Sequence, residues 1–104
     1  MIENKQNILG QFVRITDESK CLKEINTDPT TNYLWPNQLI RNKSCEAEWN
    51  RFNYFPKNGH VGEIIAKLVI NNSELDIIYI IRTFGIFYVP ISASGFEKID
   101  VIHF

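Results

Sequence analysis

The sequence predicts a mostly-β fold, a small antiparallel barrel or sandwich, and leaves room for one short helix within residues 36–52. Short runs rich in β-branched and aromatic residues recur along the chain, and such residues favour strands. Clusters of Asn, Gly, Ser and Pro separate these runs at intervals of roughly 8–12 residues, which is typical of a sandwich or barrel. One run, Leu75–Thr83, is apolar on both faces, which indicates a central strand.

The N-terminal part of the chain contains one clear strand. Residues 1–7 are polar and are expected to fray. Ile8–Ile15 is rich in branched and aromatic residues and is predicted to be a strand, in which Gly10 permits a bend. Asn26–Asn32 combines Pro29 with Asn and Asp, a composition that predicts a loop.

Three strands of the C-terminal half are predicted to form a meander. Val61–Ile70 and Leu75–Thr83 should pair as a hairpin through Asn71-Asn72-Ser73, since Asn tolerates left-handed backbone angles. Phe84-Gly85 makes a second tight link, which places the strand Ile86–Ile91 next to Leu75–Thr83.

The chain is then expected to close with a turn and a last strand. Pro90 cannot donate a hydrogen bond to a neighbouring strand, so it predicts a strand exit or an edge strand. Ser92–Gly95 is predicted to be a turn or a single helical turn, and Phe96–Phe104 a final strand.

The segment from residue 33 to residue 58 holds both tryptophans and leaves two structures open. Cys45, Trp49 and Phe52 recur at spacings of four and three, which would place them on one face of a short helix. Alternatively, apolar positions 45, 47 and 49 alternate with Glu46 and Glu48, as in a half-buried strand.

Composition indicates one globular domain spanning residues 1–104. The chain is 44% hydrophobic and 22% charged, so intrinsic disorder is not expected. The net charge of −1 and the pI of about 6.1 lack the basic footprint of nucleic-acid binding. No signal peptide or membrane-spanning run is evident, which predicts a cytoplasmic protein with no membrane partner and with Cys21 and Cys45 as reduced thiols.

Two short motifs resemble known small barrels. Gly59-His60-Val61-Gly62-Glu63-Ile64 resembles the opening strand of KOW-type domains, and Tyr88-Val89-Pro90 followed by Ser92–Phe96 resembles the end of Src-homology-3-like barrels, where a strand runs into a tight helical turn and a last strand. The resemblance implies a Src-homology-3-like barrel. The acidic, aromatic peptide-binding loop of Src-homology-3 domains and the basic residues of KOW domains have no counterpart here.

No catalytic, metal or cofactor site is predicted. His60 and His103 lie outside any nucleophile motif, and with Cys21 and Cys45 they are too scattered along the chain for a zinc site. The glycines have the spacing of β-turns and bulges, and not that of a phosphate or dinucleotide loop.

The aromatic and acidic middle segment is therefore the predicted protein-binding surface. Its aromatics would supply contact area, its carboxylates would steer a basic partner, and an acidic turn would form the rim. The competing interpretation is that the large aromatics only close one end of the core. The candidate contacts are Trp35, Glu46, Glu48, Trp49 and Tyr54, with Asp17 and Glu18 at the rim.

A small, mildly acidic chain without catalytic residues suggests a protein-binding inhibitor. We expect an immunity protein that neutralises a bacterial toxin, with a basic toxin domain such as a nuclease as partner. The alternative is a housekeeping Src-homology-3-like adaptor that binds a peptide or a larger assembly.

Overall fold

The computed structural model describes residue 8 and residues 10–25, 32–33, 43–69 and 77–100. The predictions for residues 1–7, Trp35, the turn at 71–73 and His103 fall outside this part of the chain. The elements in chain order are β1 (Phe12–Ile15), a first 3-10 turn (Glu18–Lys20), β2 (Glu24–Ile25), β3 (Asn32–Tyr33), β4 (Lys43–Ser44), α1 (Cys45–Arg51), β5 (Val61–Val69), β6 (Ile77–Thr83), β7 (Phe87–Ser92), a second 3-10 turn (Ala93–Gly95) and β8 (Phe96–Lys98).

The main sheet is antiparallel and has the strand order β7-β6-β5-β1-β8, while β3 pairs with the far end of β5. Over the described residues this sheet is not closed, and β7 and β8 are its edges. The predicted mostly-β, antiparallel fold with one short helix is confirmed. The short strands β2 and β4 form a separate two-stranded sheet that leads into α1.

The meander β5-β6-β7 forms as predicted. The pairing runs from Gly62 opposite Thr83 to Val69 opposite Ile77, with one bulge after Ile64. The strand β6 lies between β5 and β7, and five of its seven residues are buried. Pro90 lies in β7, where the edge position removes the need for its missing N–H donor.

The helix α1 resolves the alternative that the sequence left open. Ser44 caps it, since the Ser44 hydroxyl accepts a hydrogen bond from the Ala47 N–H at 3.4 Å. Cys45 and Trp49, four residues apart, are both buried, as one face of a helix requires. The Trp49 Nε1–H donates to the Tyr88 carbonyl at 3.0 Å and ties α1 to β7.

Over the part of the chain that the structure describes, one hydrophobic core fills the space between these elements. Its largest contribution comes from β5, β6 and β7, and β1 adds its two inward residues. The buried apolar residues are Val13, Ile15, Ile25, Cys45, Trp49, Tyr54, Ile64, Ala66, Leu68, Val69, Ile77, Tyr79, Ile80, Ile81, Phe87, Val89 and Ile91.

Candidate protein-binding surface

The turn between β6 and β7 presents two large apolar side chains to solvent. Phe84 and Gly85 both have positive φ angles, 52° and 74°, and the Ile86 N–H donates to the Thr83 carbonyl at 3.1 Å. A bulky residue in this conformation is a genuine outlier. Phe84 is 66% exposed and Ile86 is 63% exposed, so packing in the core does not explain why large apolar residues occupy this turn.

A stack of two buried rings lies directly behind this turn. The ring centroids of Tyr54 and Phe87 are 4.2 Å apart with an interplanar angle of 4°. Phe84 meets Tyr54 edge-on at 5.8 Å, and Phe52, which is 57% exposed, meets Phe87 edge-on at 5.9 Å. We call Phe52, Tyr54, Phe84, Ile86 and Phe87 the apolar patch. Phe52, Phe84 and Ile86 are its exposed members, and Tyr54 and Phe87 are the buried rings behind them. Clustered exposed apolar side chains are typical of interaction sites.

Polar contacts of the Tyr54 hydroxyl with His60 and Thr83 fix the position of the stacked rings. The Lys57 N–H donates to His60 Nδ1 at 3.2 Å. The Tyr54 hydroxyl lies 3.3 Å from the same Nδ1 and shares a 2.8 Å hydrogen bond with the buried Thr83 hydroxyl. Burial raises the pKa of Tyr54, and the Thr83 hydrogen bond opposes part of that shift.

A small cavity of about 200 Å³ opens between α1 and the turn of the apolar patch. Five of its six lining residues are apolar or aromatic, and Glu48 is the charged residue among them. Glu48 Oε1 lies 3.6 Å from Arg51 Nη1, and the Arg51 guanidinium stands over the Phe52 ring at 5.6 Å. The remaining lining residues are Cys45, Ile86, Phe87 and Tyr88.

A larger cavity of about 680 Å³ lies beside the sheet of β2 and β4 and the start of α1. Its lining includes Cys21, Leu22, Ile78 and Pro90, and the ion pair between Lys23 and Glu46 (3.4 Å) lies at its wall. Burial, and after it the carboxylate of Glu18, raises the pKa of Cys21 to about 11. This thiol is therefore protonated at neutral pH and is a weak nucleophile.

The structure separates the residues that the sequence grouped as contacts. Trp49 is 4% exposed and Tyr54 is 9% exposed, so neither offers a free ring to a partner, and the competing interpretation as core aromatics describes both. Glu46 and Glu48 line different cavities and each is paired with a cation, so they do not form one acidic face. Trp35 lies outside the described residues.

The two rim residues already have structural roles. Asp17 caps the first 3-10 turn by accepting from the Ser19 N–H at 3.1 Å and the Ser19 hydroxyl at 2.6 Å, and these bonds lower the pKa of Asp17. Glu18 exchanges two hydrogen bonds with Asn58, at 2.7 and 3.0 Å. These hydrogen bonds link the turn around residue 58 to the first 3-10 turn.

Sequence reasoning missed Phe52, Phe84 and Ile86 as surface residues. Their signal was present, because turn positions normally carry polar residues or glycine and Phe84-Gly85-Ile86 carries two large apolar ones. The prediction treated Ile86 as the first residue of a strand, whereas β7 begins at Phe87.

Among the described residues no group of three or more His, Cys, Asp and Glu side chains is arranged to hold a metal ion. No helix in the described part is long and apolar enough to cross a bilayer. Comparison of the chain with protein families, curated proteins and solved structures gave no match. The candidate site therefore rests on geometry alone, and its chemistry is that of an apolar contact surface flanked by one carboxylate.

Proposed function

We propose that this chain is a non-catalytic protein-binding module of the immunity-protein kind and that it contacts its partner through the apolar patch. The observation that carries the proposal is the exposure of Phe52, Phe84 and Ile86 around a rigid buried stack. Rigid aromatic side chains supply contact area at little cost in conformational entropy, which is why they dominate interface hot spots.

The partner that suits this surface is a protein with a positive contact face. Glu48 flanks the patch, and the chain as a whole is slightly acidic. A toxin domain with a basic cleft, such as a nuclease, would meet both features, because complementary charge speeds association and excludes wrong partners. An immunity protein of this kind acts in the cytoplasm of the cell that makes the toxin.

The second candidate function is a Src-homology-3-like adaptor. It is favoured by the path of the C-terminal residues, in which β7 runs into the second 3-10 turn and then into β8, and by the pairing of β8 with β1. An adaptor would bind a short extended peptide over the same exposed rings.

The test begins with capture of partners on the immobilised chain from cells of its source organism, with identification by mass spectrometry. Affinity for the purified partner is then measured for three variants. Phe84→Asn and Ile86→Ser should each weaken binding at least about tenfold, as for hot-spot residues. Phe12→Ser changes another exposed apolar residue, on β1 outside the patch, and should leave affinity unchanged.

Equal affinity of all three variants and the unchanged chain would contradict the proposal. The identity of the partner separates the two functions. A folded toxin domain encoded beside the gene for this chain supports inhibition, whereas a captured protein whose isolated linear segment binds equally well supports the adaptor.

A further inference from the structure

We infer that the small cavity between α1 and the β6–β7 turn receives an arginine side chain of the partner, with Glu48 as its counter-charge. This inference rests on the proposed function and names the chemical group that the apolar patch recognises. The cavity of about 200 Å³ is lined by apolar and aromatic residues together with Glu48. A side chain with an apolar stem and a cationic head matches that lining.

Arg51 of the chain itself makes the two contacts that we infer for the partner's arginine. Its guanidinium lies 3.6 Å from the Glu48 carboxylate and 5.6 Å from the centre of the Phe52 ring. The two groups that would bind a partner's arginine are therefore placed so that both reach one guanidinium. A planar guanidinium suits them better than an ammonium, because it stacks on an aromatic ring while it pairs with a carboxylate.

A partner arginine can displace Arg51 from Glu48. The Arg51 side chain is 69% exposed, and its pair with Glu48 joins neighbours three residues apart on one helix. Such exposed pairs contribute little to stability. Arg51 places one nitrogen 3.6 Å from one Glu48 oxygen, whereas a partner arginine that enters the cavity could bond both carboxylate oxygens, which makes it the stronger ligand.

Glu46 provides a matched control on the same helix. It carries the same side chain two residues earlier, lines the larger cavity and pairs with Lys23 at 3.4 Å. A general effect of negative charge would depend equally on both glutamates, whereas a specific cavity depends on Glu48 alone.

The experiment titrates the isotope-labelled chain with three capped tripeptides, Gly-Arg-Gly, Gly-Lys-Gly and Gly-Leu-Gly, and follows amide shifts by NMR. The arginine peptide should give saturable shifts at Glu48, Phe52 and Ile86 and should bind more tightly than the other two. Glu48→Gln should weaken it about fivefold or more, as the loss of a charge-assisted contact predicts, and Glu46→Gln should leave it unchanged. Arg51→Ala should strengthen it up to about twofold by removing the internal competitor.

The inference is overturned if the three peptides bind alike, if no saturable shift occurs, if the shifts lie elsewhere, or if Glu48→Gln binds like the unchanged chain. Its failure is distinguishable from failure of the proposed function. Loss of partner affinity in Phe84→Asn with no arginine preference removes only the arginine site. An arginine preference with unchanged partner affinity in Phe84→Asn removes the proposed function and leaves the site.

Discussion

Replacing Phe84 by asparagine should separate binding from stability. Phe84 has a φ of 52° and is followed by Gly85 with a φ of 74°. Asparagine adopts positive φ far more readily than phenylalanine, and Asn-Gly is a preferred pair where two successive turn residues have this conformation. The change therefore improves the local backbone and removes an exposed ring from the apolar patch.

The two effects on stability nearly cancel. The left-handed conformation costs an ordinary residue about 1–2 kcal/mol, and asparagine recovers most of this. Phe84 is 66% exposed, so only about a third of the roughly 1.5–3 kcal/mol of a fully buried side chain is lost. The edge contact with Tyr54, at 5.8 Å, adds about 0.5–1.5 kcal/mol to the loss. We expect the free energy of unfolding to change by less than about 1 kcal/mol.

The assay is urea unfolding followed by circular dichroism, together with the affinity for the captured partner. Phe87→Ala is the matched control, because Phe87 belongs to the same cluster of rings but is buried, and its truncation should cost about 3–5 kcal/mol. A loss above about 2 kcal/mol in Phe84→Asn would refute the reasoning, since it would make Phe84 a structural part of the ring stack.

Three further changes test the structure. Trp49→Phe removes the 3.0 Å hydrogen bond to the Tyr88 carbonyl and should lower the free energy of unfolding by about 1–2 kcal/mol without altering partner affinity; calorimetry that finds no change would place this ring outside the core. Gly95→Ala would put a Cβ 2.7 Å from the Lys20 Cβ, so the urea midpoint should fall by the equivalent of about 1–3 kcal/mol. The pKa of Cys21 is raised from 9.0 to about 11, so the folded state favours the neutral thiol. Its contribution to stability is complete below pH 9 and is lost as pH rises towards about 11; Cys21→Ala should show a shallower decline over that range, and an unchanged decline would exclude the thiol.

The local part of the fold was predictable because neighbouring strands in the meander are also neighbours in the sequence. The two-faced apolar pattern of Leu75–Thr83 identified an interior strand of the sheet, β6. The pairing of β1 with both β5 and β8 was not predictable, since it joins Val13 to Gly62 and to Lys98. No local pattern specifies which distant edge completes a sheet.

The binding surface was harder to predict because residue type does not determine burial. Tryptophan is common both in cores and at interfaces, and the buried position of Trp49 depends on the contact of α1 with β7. The tight link at Phe84-Gly85 was predicted, but the exposure of the Phe84 ring was not. Ile86 was assigned to the following strand because its apolar character resembles that strand, whereas β7 begins at Phe87.

Glu18, one of the predicted rim residues, supports the ring stack through a series of hydrogen bonds. Glu18 holds Asn58 by two hydrogen bonds, and the flanking Gly59 N–H and His60 carbonyl both bond to Ile15. The turn that carries His60 is thereby fixed to β1, and His60 in turn contacts the Tyr54 hydroxyl at 3.3 Å and stacks on the Tyr54 ring at 5.5 Å. Acidic side chains that look available for a partner are thus part of the support of the ring stack. Exposed apolar side chains keep a defined position when the residues behind them are themselves held by hydrogen bonds, as His60 and Tyr54 are here.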